Sequence, residues 1–329
     1  VKPVLLAGLA LVPACAFLCA RFAESMRRRS LGQSIRSLGP ASHAAKAGTP
    51  TMGGIVVFAL WLAATVVLLV WHPATPMTVF VLTSATLFAT IGAVDDWISL
   101  RHRRSMGLSA IAKLALLSVA ALVLFFTFRD VLAVPVEIPF SSASLALPPV
   151  AVFFLAWIVF LSTTNGMNLT DGLDGLAAGV AVLILIGIIL LHPTRENLIL
   201  CVPLIGALVG FLWLNVHPAS LFLGDVGSFF LGGVIAALAL ANGMVFLLPI
   251  LAGVLVLEVG SVILQVASCK ALGKRLFRMS PLHHHFECSA DPPREHILPA
   301  FRWPEGKITV RFWILQGFFV GLALLAARI

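Results

Sequence analysis

Asp95 and Asp96 are adjacent at the end of an apolar run, and Asp225 stands between Gly224 and Val226. Asn165, Asn168, Asp171 and Asp174 recur every third residue in NGMNLTDGLDGLAAG. Residues three apart on a helix are surface neighbours, so the last four would form one polar stripe. Carboxylates that close repel each other unless a cation or several donors stand between them. Mg²⁺, which takes a few carboxylates with water and phosphate oxygens, suits such a set. An adjacent pair cannot point one way from a helix, which predicts separate roles for Asp95 and Asp96. Helix capping is the plainer reading of Asn and Asp, although a carboxylate at a helix C-terminus opposes the dipole. For Asp225, at the start of an apolar helix, capping and ligation stay level.

Other segments add donors. NVHPASLFLGDVGS holds Asn215, His217 and Phe222, whose ring would stack on a nucleobase or insert at the bilayer interface. His283, His284 and His285 are consecutive and cannot all face one ligand from a regular helix. No cysteine is spaced to complete a zinc site with them; they suit donation to phosphate, or else lie exposed in a loop. Lys46 precedes Gly48-Thr49-Pro50-Thr51-Met52-Gly53-Gly54, whose order is not that of a P-loop. The turn still sets backbone donors and one cation near a helix N-terminus, which suits an anion, or it simply starts a helix. Glu258 lies in an apolar run and needs a partner, with Gln265 seven residues on. A structural hydrogen bond that kinks the helix and a substrate contact explain this pair equally.

The elements that must position these groups lie in lipid. Of 329 residues 60% are hydrophobic and 11% charged, with mean hydropathy +1.05. Such a chain is an integral membrane protein, which excludes a soluble enzyme, a disordered chain and a secreted module. The fold expected is all-α and polytopic, one domain over 1–329. About ten spans lie near 3–22, 53–72, 76–95, 108–128, 147–164, 173–192, 197–214, 226–243, 244–269 and 308–327. The opening segment reads as a retained helix, lacking a basic n-region and a cleavage site. Residues 129–146 alternate as a short external hairpin would. If the spans alternate, 18 of the 22 Lys and Arg fall on the side of the odd-numbered connections. That side is then cytoplasmic and both termini lie outside. The net charge of +8 is thereby topological, and no nucleic-acid partner is expected. The polar clusters fall on the same side, so five loops converge on one cytoplasmic face. The five cysteines form no CxxC pair, and there is no tyrosine to act as nucleophile.

Taken together, KAGTPTMGG, Asp95-Asp96, NGMNLTDGLDGLAAG, NVHPASLFLGDVGS, PLHHHFE and WPEGKITVRFW resemble the phospho-N-acetylmuramoyl-pentapeptide-transferase (MraY) family. The resemblance runs from about Ser42 to the C-terminus. It implies transfer of phospho-MurNAc-pentapeptide from UDP-MurNAc-pentapeptide to undecaprenyl phosphate, giving lipid I and UMP, with Mg²⁺ as cofactor. It also implies a homodimer in the bacterial cytoplasmic (inner) membrane. By the same resemblance Asp225 is the metal ligand, and Asp95, Asp96, Asp225 and His283 are catalytic. Lys46, Thr51, Asn165, Asn168, Asp171, Gly172, Leu173, Asp174, Asn215, Phe222, His284 and His285 bind substrate. The chain departs from the family in two places. Ser99 stands where the family has a lysine, which would leave Arg101 or Arg103 to neutralise phosphate, and the loop Cys288–Arg302 is long.

Phosphoryl transfer needs in-line geometry and charge neutralisation more than covalent chemistry. A phosphate monoester is already largely a dianion at neutral pH. Direct attack on the β-phosphorus is therefore expected, with a covalent aspartyl-phosphate on Asp96 as the rival route. A transporter of anionic solutes would place its polar groups at mid-membrane with internal repeats, and neither is visible. A sister transferase using UDP-N-acetylglucosamine is the other alternative.

Overall fold

The computed structural model describes residues 1–29, 48–102, 107–287, 295–299 and 301–327. In chain order the elements are α1 (Lys2–Arg28), α2 (Gly54–Leu69), α3 (Pro76–His102), α4 (Ala110–Thr127), β1 (Val136–Glu137) and β2 (Ser144–Leu145). There follow α5 (Pro149–Thr170), α6 (Leu176–Leu191), α7 (Arg195–Asn215), α8 (Gly224–Ala241), α9 (Leu248–Leu251), α10 (Gly253–Leu272), α11 (Leu282–His285) and α12 (Glu305–Ala326). Among the described residues eight helices are long and apolar enough to cross a membrane, while α2 and α6 are apolar but shorter. At 1.5 Å per residue the 16 residues of α2 or α6 reach about 24 Å, short of the roughly 30 Å of hydrocarbon in a bilayer. Each of the ten expected apolar runs overlaps one of these ten helices, eight of which reach spanning length.

Helix α8 is the axis of the bundle. It is apolar on all sides, which suits a helix surrounded by protein, and α2, α3, α5 and α6 pack around it. Small residues allow these backbones to approach. A Cβ on Gly54 would lie 2.3 Å from the Gly227 Cα, and one on Gly92 would lie 2.2 Å from the Asp225 carbonyl oxygen. Larger rings fill the adjoining layers: Phe88 stacks on Phe160 at 5.3 Å, and Phe230 meets Trp61 at 5.2 Å. The outer pair α1 and α7 meets through Gly206 and Gly210, a GxxxG spacing against the Gly8 and Val12 carbonyls.

Helix ends follow local chemistry. Pro149 opens α5, where its missing N–H is no loss. Ser109 caps α4 by accepting the Ala112 N–H at 3.2 Å. The β1–β2 hairpin forms inside the expected 129–146 segment and joins the C-terminal ends of α6, α8 and α12. Its contacts are His192 Nε2 to Glu137 Oε1 at 3.1 Å, the Glu137 N–H to the Gly243 carbonyl, and the Phe140 N–H to the Ala326 carbonyl.

Three expectations change. Helix α3 runs on to His102, so Asp95 and Asp96 lie inside it and not at its end. The ninth run is broken, with α9 a single turn ahead of α10. Gln316 of α12 holds that break, donating to the Leu251 carbonyl at 2.6 Å and accepting the Val254 N–H at 3.3 Å. Helix α5 ends at Thr170, and the four-residue polar stripe ends with it.

Candidate active site

The C-terminal part of α3, the first turn of α4, the C-terminal end of α5 and the N-terminal end of α8 meet at one end of the bundle. Gly107, Leu108 and Ser109 fold back onto α3. The Leu108 N–H donates to Asp95 Oδ1 at 2.6 Å, and a Cβ on Gly107 would sit 2.3 Å from the Asp95 carbonyl oxygen. That turn starts α4 so that Lys113 faces the acids. Its Nζ lies 2.6 Å from Asp95 Oδ2 and 2.7 Å from Asp225 Oδ2.

Asp96 takes the other direction, as expected of an adjacent pair. Its Oδ2 accepts the Val226 N–H at 3.0 Å and so caps α8 from a neighbouring helix. The approach requires Gly224, whose φ is +79° and whose Cβ would lie 2.6 Å from that same oxygen. Asn168 completes the group by donating to Asp225 Oδ1 at 2.7 Å and to Ser228 Oγ at 3.0 Å. Three carboxyl groups, one amide, one hydroxyl and one ammonium are thus gathered. The carboxylates of this group are the oxygen ligands that Mg²⁺ takes, and Asp95 Oδ2 and Asp225 Oδ2 both face the Lys113 ammonium.

Lys113 is the residue that sequence reasoning missed. It is one of the 18 basic residues counted on the side of the odd-numbered connections, and the sequence points to Arg101 or Arg103 for the charge absent at Ser99. Arg101 instead lies over the Trp97 ring at 5.2 Å, and Arg103 is outside the described residues. The available signal was a lone lysine inside an apolar helix, where a charge is costly without a partner.

Beside this group the 50–54 segment docks on the α7–α8 connection. The Gly53 and Gly54 N–H groups donate to the Phe222 and Leu223 carbonyls at 2.9 Å, and the Phe222 N–H donates to the Pro50 carbonyl at 2.9 Å. Thr51 is buried there, and Lys46 lies outside the described residues. Asn165 donates to the Leu161 carbonyl of its own helix at 2.7 Å.

Past the end of α5 the chain turns through Asp171, Gly172, Leu173 and Asp174 to Gly175, with φ +75°. Asp174 turns off the stripe. Its Oδ2 meets His217 Nδ1 at 3.0 Å and the Ala219 N–H at 3.0 Å, while its own N–H donates to Glu305 Oε1 at 2.7 Å. Asp174, His217 and Glu305 each offer an atom within 4.8 Å of the others. Their hydrogen bonds to backbone make this grouping a clamp that joins the α5–α6 turn to α12. Asn215 braces the same turn, accepting the Gly175 N–H at 3.1 Å and donating to the Leu221 carbonyl at 2.9 Å.

The three histidines occupy the single turn α11 and face three ways. His283 Nδ1 lies 3.2 Å from Glu258 Oε2, and a Cβ on Gly172 would be 2.3 Å from its Nε2. His284 Nδ1 lies 2.8 Å from Glu287 Oε2. His285 accepts the Arg278 N–H at Nδ1 and meets the Pro299 carbonyl through Nε2 at 3.2 Å, the pattern of a neutral ring protonated on Nε2. Burial holds its pKa below the ordinary value, with His296 and Arg278 adding to the shift and the Pro299 contact opposing it. Gln265 clamps the loop that leads here, through the Phe277 N–H at 2.8 Å and carbonyl at 3.1 Å.

A family model, Glycosyl transferase family 4, matches residues 77–243, which span α3 to α8. The phospho-N-acetylmuramoyl-pentapeptide-transferase signature 1 matches residues 46–58, which include the 50–54 segment docked beside the acidic group. A protein of Rubrobacter xylanophilus named phospho-N-acetylmuramoyl-pentapeptide-transferase is 40% identical over 319 residues, covering 92% of this chain and 91% of that relative. A helical membrane bundle with acids, amide and ammonium at one end, matched over nearly its whole length by that relative, is an enzyme of the phospho-N-acetylmuramoyl-pentapeptide-transferase (MraY) family.

Proposed function

We propose that the enzyme transfers phospho-MurNAc-pentapeptide from UDP-MurNAc-pentapeptide to undecaprenyl phosphate, releasing UMP and lipid I. The observation that carries this reading is the meeting of Lys113 with Asp95 and Asp225 beside Asp96 and Asn168. A donor diphosphate and an acceptor phosphate bring several negative charges together, and such a site handles that charge.

Asp225 would hold Mg²⁺, which when bound neutralises the diphosphate and polarises the reacting phosphorus. The chain's own residues do the rest. Lys113, seated between Asp95 and Asp225, is the cation placed to offset charge on the phosphates. Asn168 fixes the direction of Asp225 through Oδ1. Asp96 is tied to the α8 N-terminus, and Asp95 is held by the Leu108 N–H and Lys113. Carboxylates restrained in this way are suited to positioning, which supports direct in-line attack by the acceptor phosphate over a covalent aspartyl-phosphate.

The 1–329 chain works here as one transferase domain. Ten spans, outside termini, a cytoplasmic-facing site in the bacterial inner membrane and a homodimer complete the proposal. The charge bias of the loops supports the orientation.

The experiment is UMP release by detergent-purified enzyme with undecaprenyl phosphate and Mg²⁺, comparing UDP-MurNAc-pentapeptide with UDP-N-acetylglucosamine and including Asp225→Asn. Release with the first donor only, lost in the variant and on chelation, is the expected result. Release with the second donor would move the assignment to the sister branch, and release from neither would overturn it.

A further inference from the structure

We propose that Glu258 is a positioning residue for this reaction and acts through His283; the inference rests on the function proposed above. Both side chains are wholly buried, one on α10 and one on α11. Glu258 Oε2 lies 3.2 Å from His283 Nδ1, yet the contact is not aligned as a hydrogen bond. Both carboxylate oxygens and both ring nitrogens are therefore without a hydrogen-bond partner. Among the described residues the other buried side-chain atom in that condition is Thr65 Oγ1. Buried polar groups are nearly always paired, so four orphaned atoms in one contact ask for a reason.

The reason lies on the far side of the ring. Nε2 abuts Gly172, where a Cβ would be 2.3 Å away, so the ring occupies the space a side chain would take in the Asp171–Asp174 turn. His284 turns to Glu287 and His285 to Pro299, whereas His283 reaches the turn that follows Asn168. A carboxylate at Nδ1 sets the orientation and tautomer of an imidazole and leaves Nε2 as its working atom. Such contacts are often misaligned before substrate arrives and tighten in the complex. Glu258 thus holds His283 so that Nε2 meets the diphosphate as it enters beside Gly172. No proton is transferred by Glu258; it supplies direction.

The test uses steady-state UMP release by Glu258→Gln, Glu258→Asp, His283→Gln and the Glu258→Gln/His283→Gln double variant, with wild type and Asp225→Asn as references. Glu258→Gln is expected to lower kcat about 10²-fold, the scale of a misplaced imidazole. Donor KM and thermal stability should stay close to wild type, and Glu258→Asp should retain more activity than Glu258→Gln. The double variant should be no slower than His283→Gln, because the glutamate acts through the ring. Near-wild-type kcat in Glu258→Gln would overturn the proposal. So would multiplicative losses in the double variant, or a loss shared among kcat, KM and stability, which marks a structural role. Should Glu258→Gln not fold, the same comparison with Glu258→Asp decides. An active wild type with an inactive Asp225→Asn keeps the functional reading while the Glu258 variants judge this inference alone; an inactive wild type overturns both.

Discussion

Lys113 Nζ lies 2.7 Å from Asp225 Oδ2, a contact between residues 112 apart in the chain. The same ammonium reaches Asp95, so one cation holds the start of α4 to both α3 and α8. Removing it leaves the Asp95 and Asp225 carboxyl groups without the ammonium that they share. Lys113→Met is expected to lower UMP release at least about 10²-fold, a loss typical of a removed charge-stabilising donor. Lys113→Arg, which keeps the charge but spreads it over a planar fork, should recover only part of it. Turnover of both variants at saturating donor checks this, and near-wild-type rates in Lys113→Met would contradict it.

Gly224 combines a left-handed backbone with contact to Asp96. In Gly224→Ala the positive φ alone costs about 1–2 kcal/mol. The new methyl also falls on Asp96 Oδ2, displacing the carboxylate that caps α8. Activity should fall more than the stability loss accounts for. Thermal melts paired with turnover separate the two effects.

Gly54 tests packing rather than chemistry. Its Cα faces Gly227 so closely that a larger side chain forces α2 off α8. Gly54→Leu is expected to destabilise the bundle by about 3 kcal/mol or more, the upper range for overpacking. The melting temperature in detergent should drop sharply, whereas the same change at Gly321, which has open space around it, should leave it nearly unchanged.

His285 sets a pH dependence. Burial holds its folded pKa below the ordinary 6.5, so the unfolded chain takes up this proton first as pH falls. Its contribution to stability is complete above about pH 6.5 and is lost as pH falls through the lower folded value. Thermal stability should decline on the acid side of pH 6.5, and less steeply in His285→Gln. Parallel acid-side curves for the two proteins would contradict this.

Asn168 and the Asp95-Asp96 pair show how much of the site could be read in advance. Their residue types and place at the ends of apolar runs marked them as chemistry, and the structure brings them together at α8. The same spacing argument failed at Asp174, because a period of three carries meaning only while the helix lasts, and α5 stops at Thr170. His283, His284 and His285 were legible as a cluster but not as three different contacts, since direction within one short turn depends on what packs around it.

The sequence by itself determined that this chain lies in lipid, where its ten apolar runs fall and that its polar residues gather at their shared end. Those properties follow from composition and order along the chain, because a segment in lipid must satisfy its own backbone hydrogen bonds, which a long apolar run does as a helix. Only the tertiary structure decided that Lys113 is the cation of the acidic group and that Glu258 faces His283. Both depend on how each helix is rotated about its axis and seated on α8 or α10. That rotation is set by close packing between residues far apart in the chain, and the local pattern of each helix leaves it open.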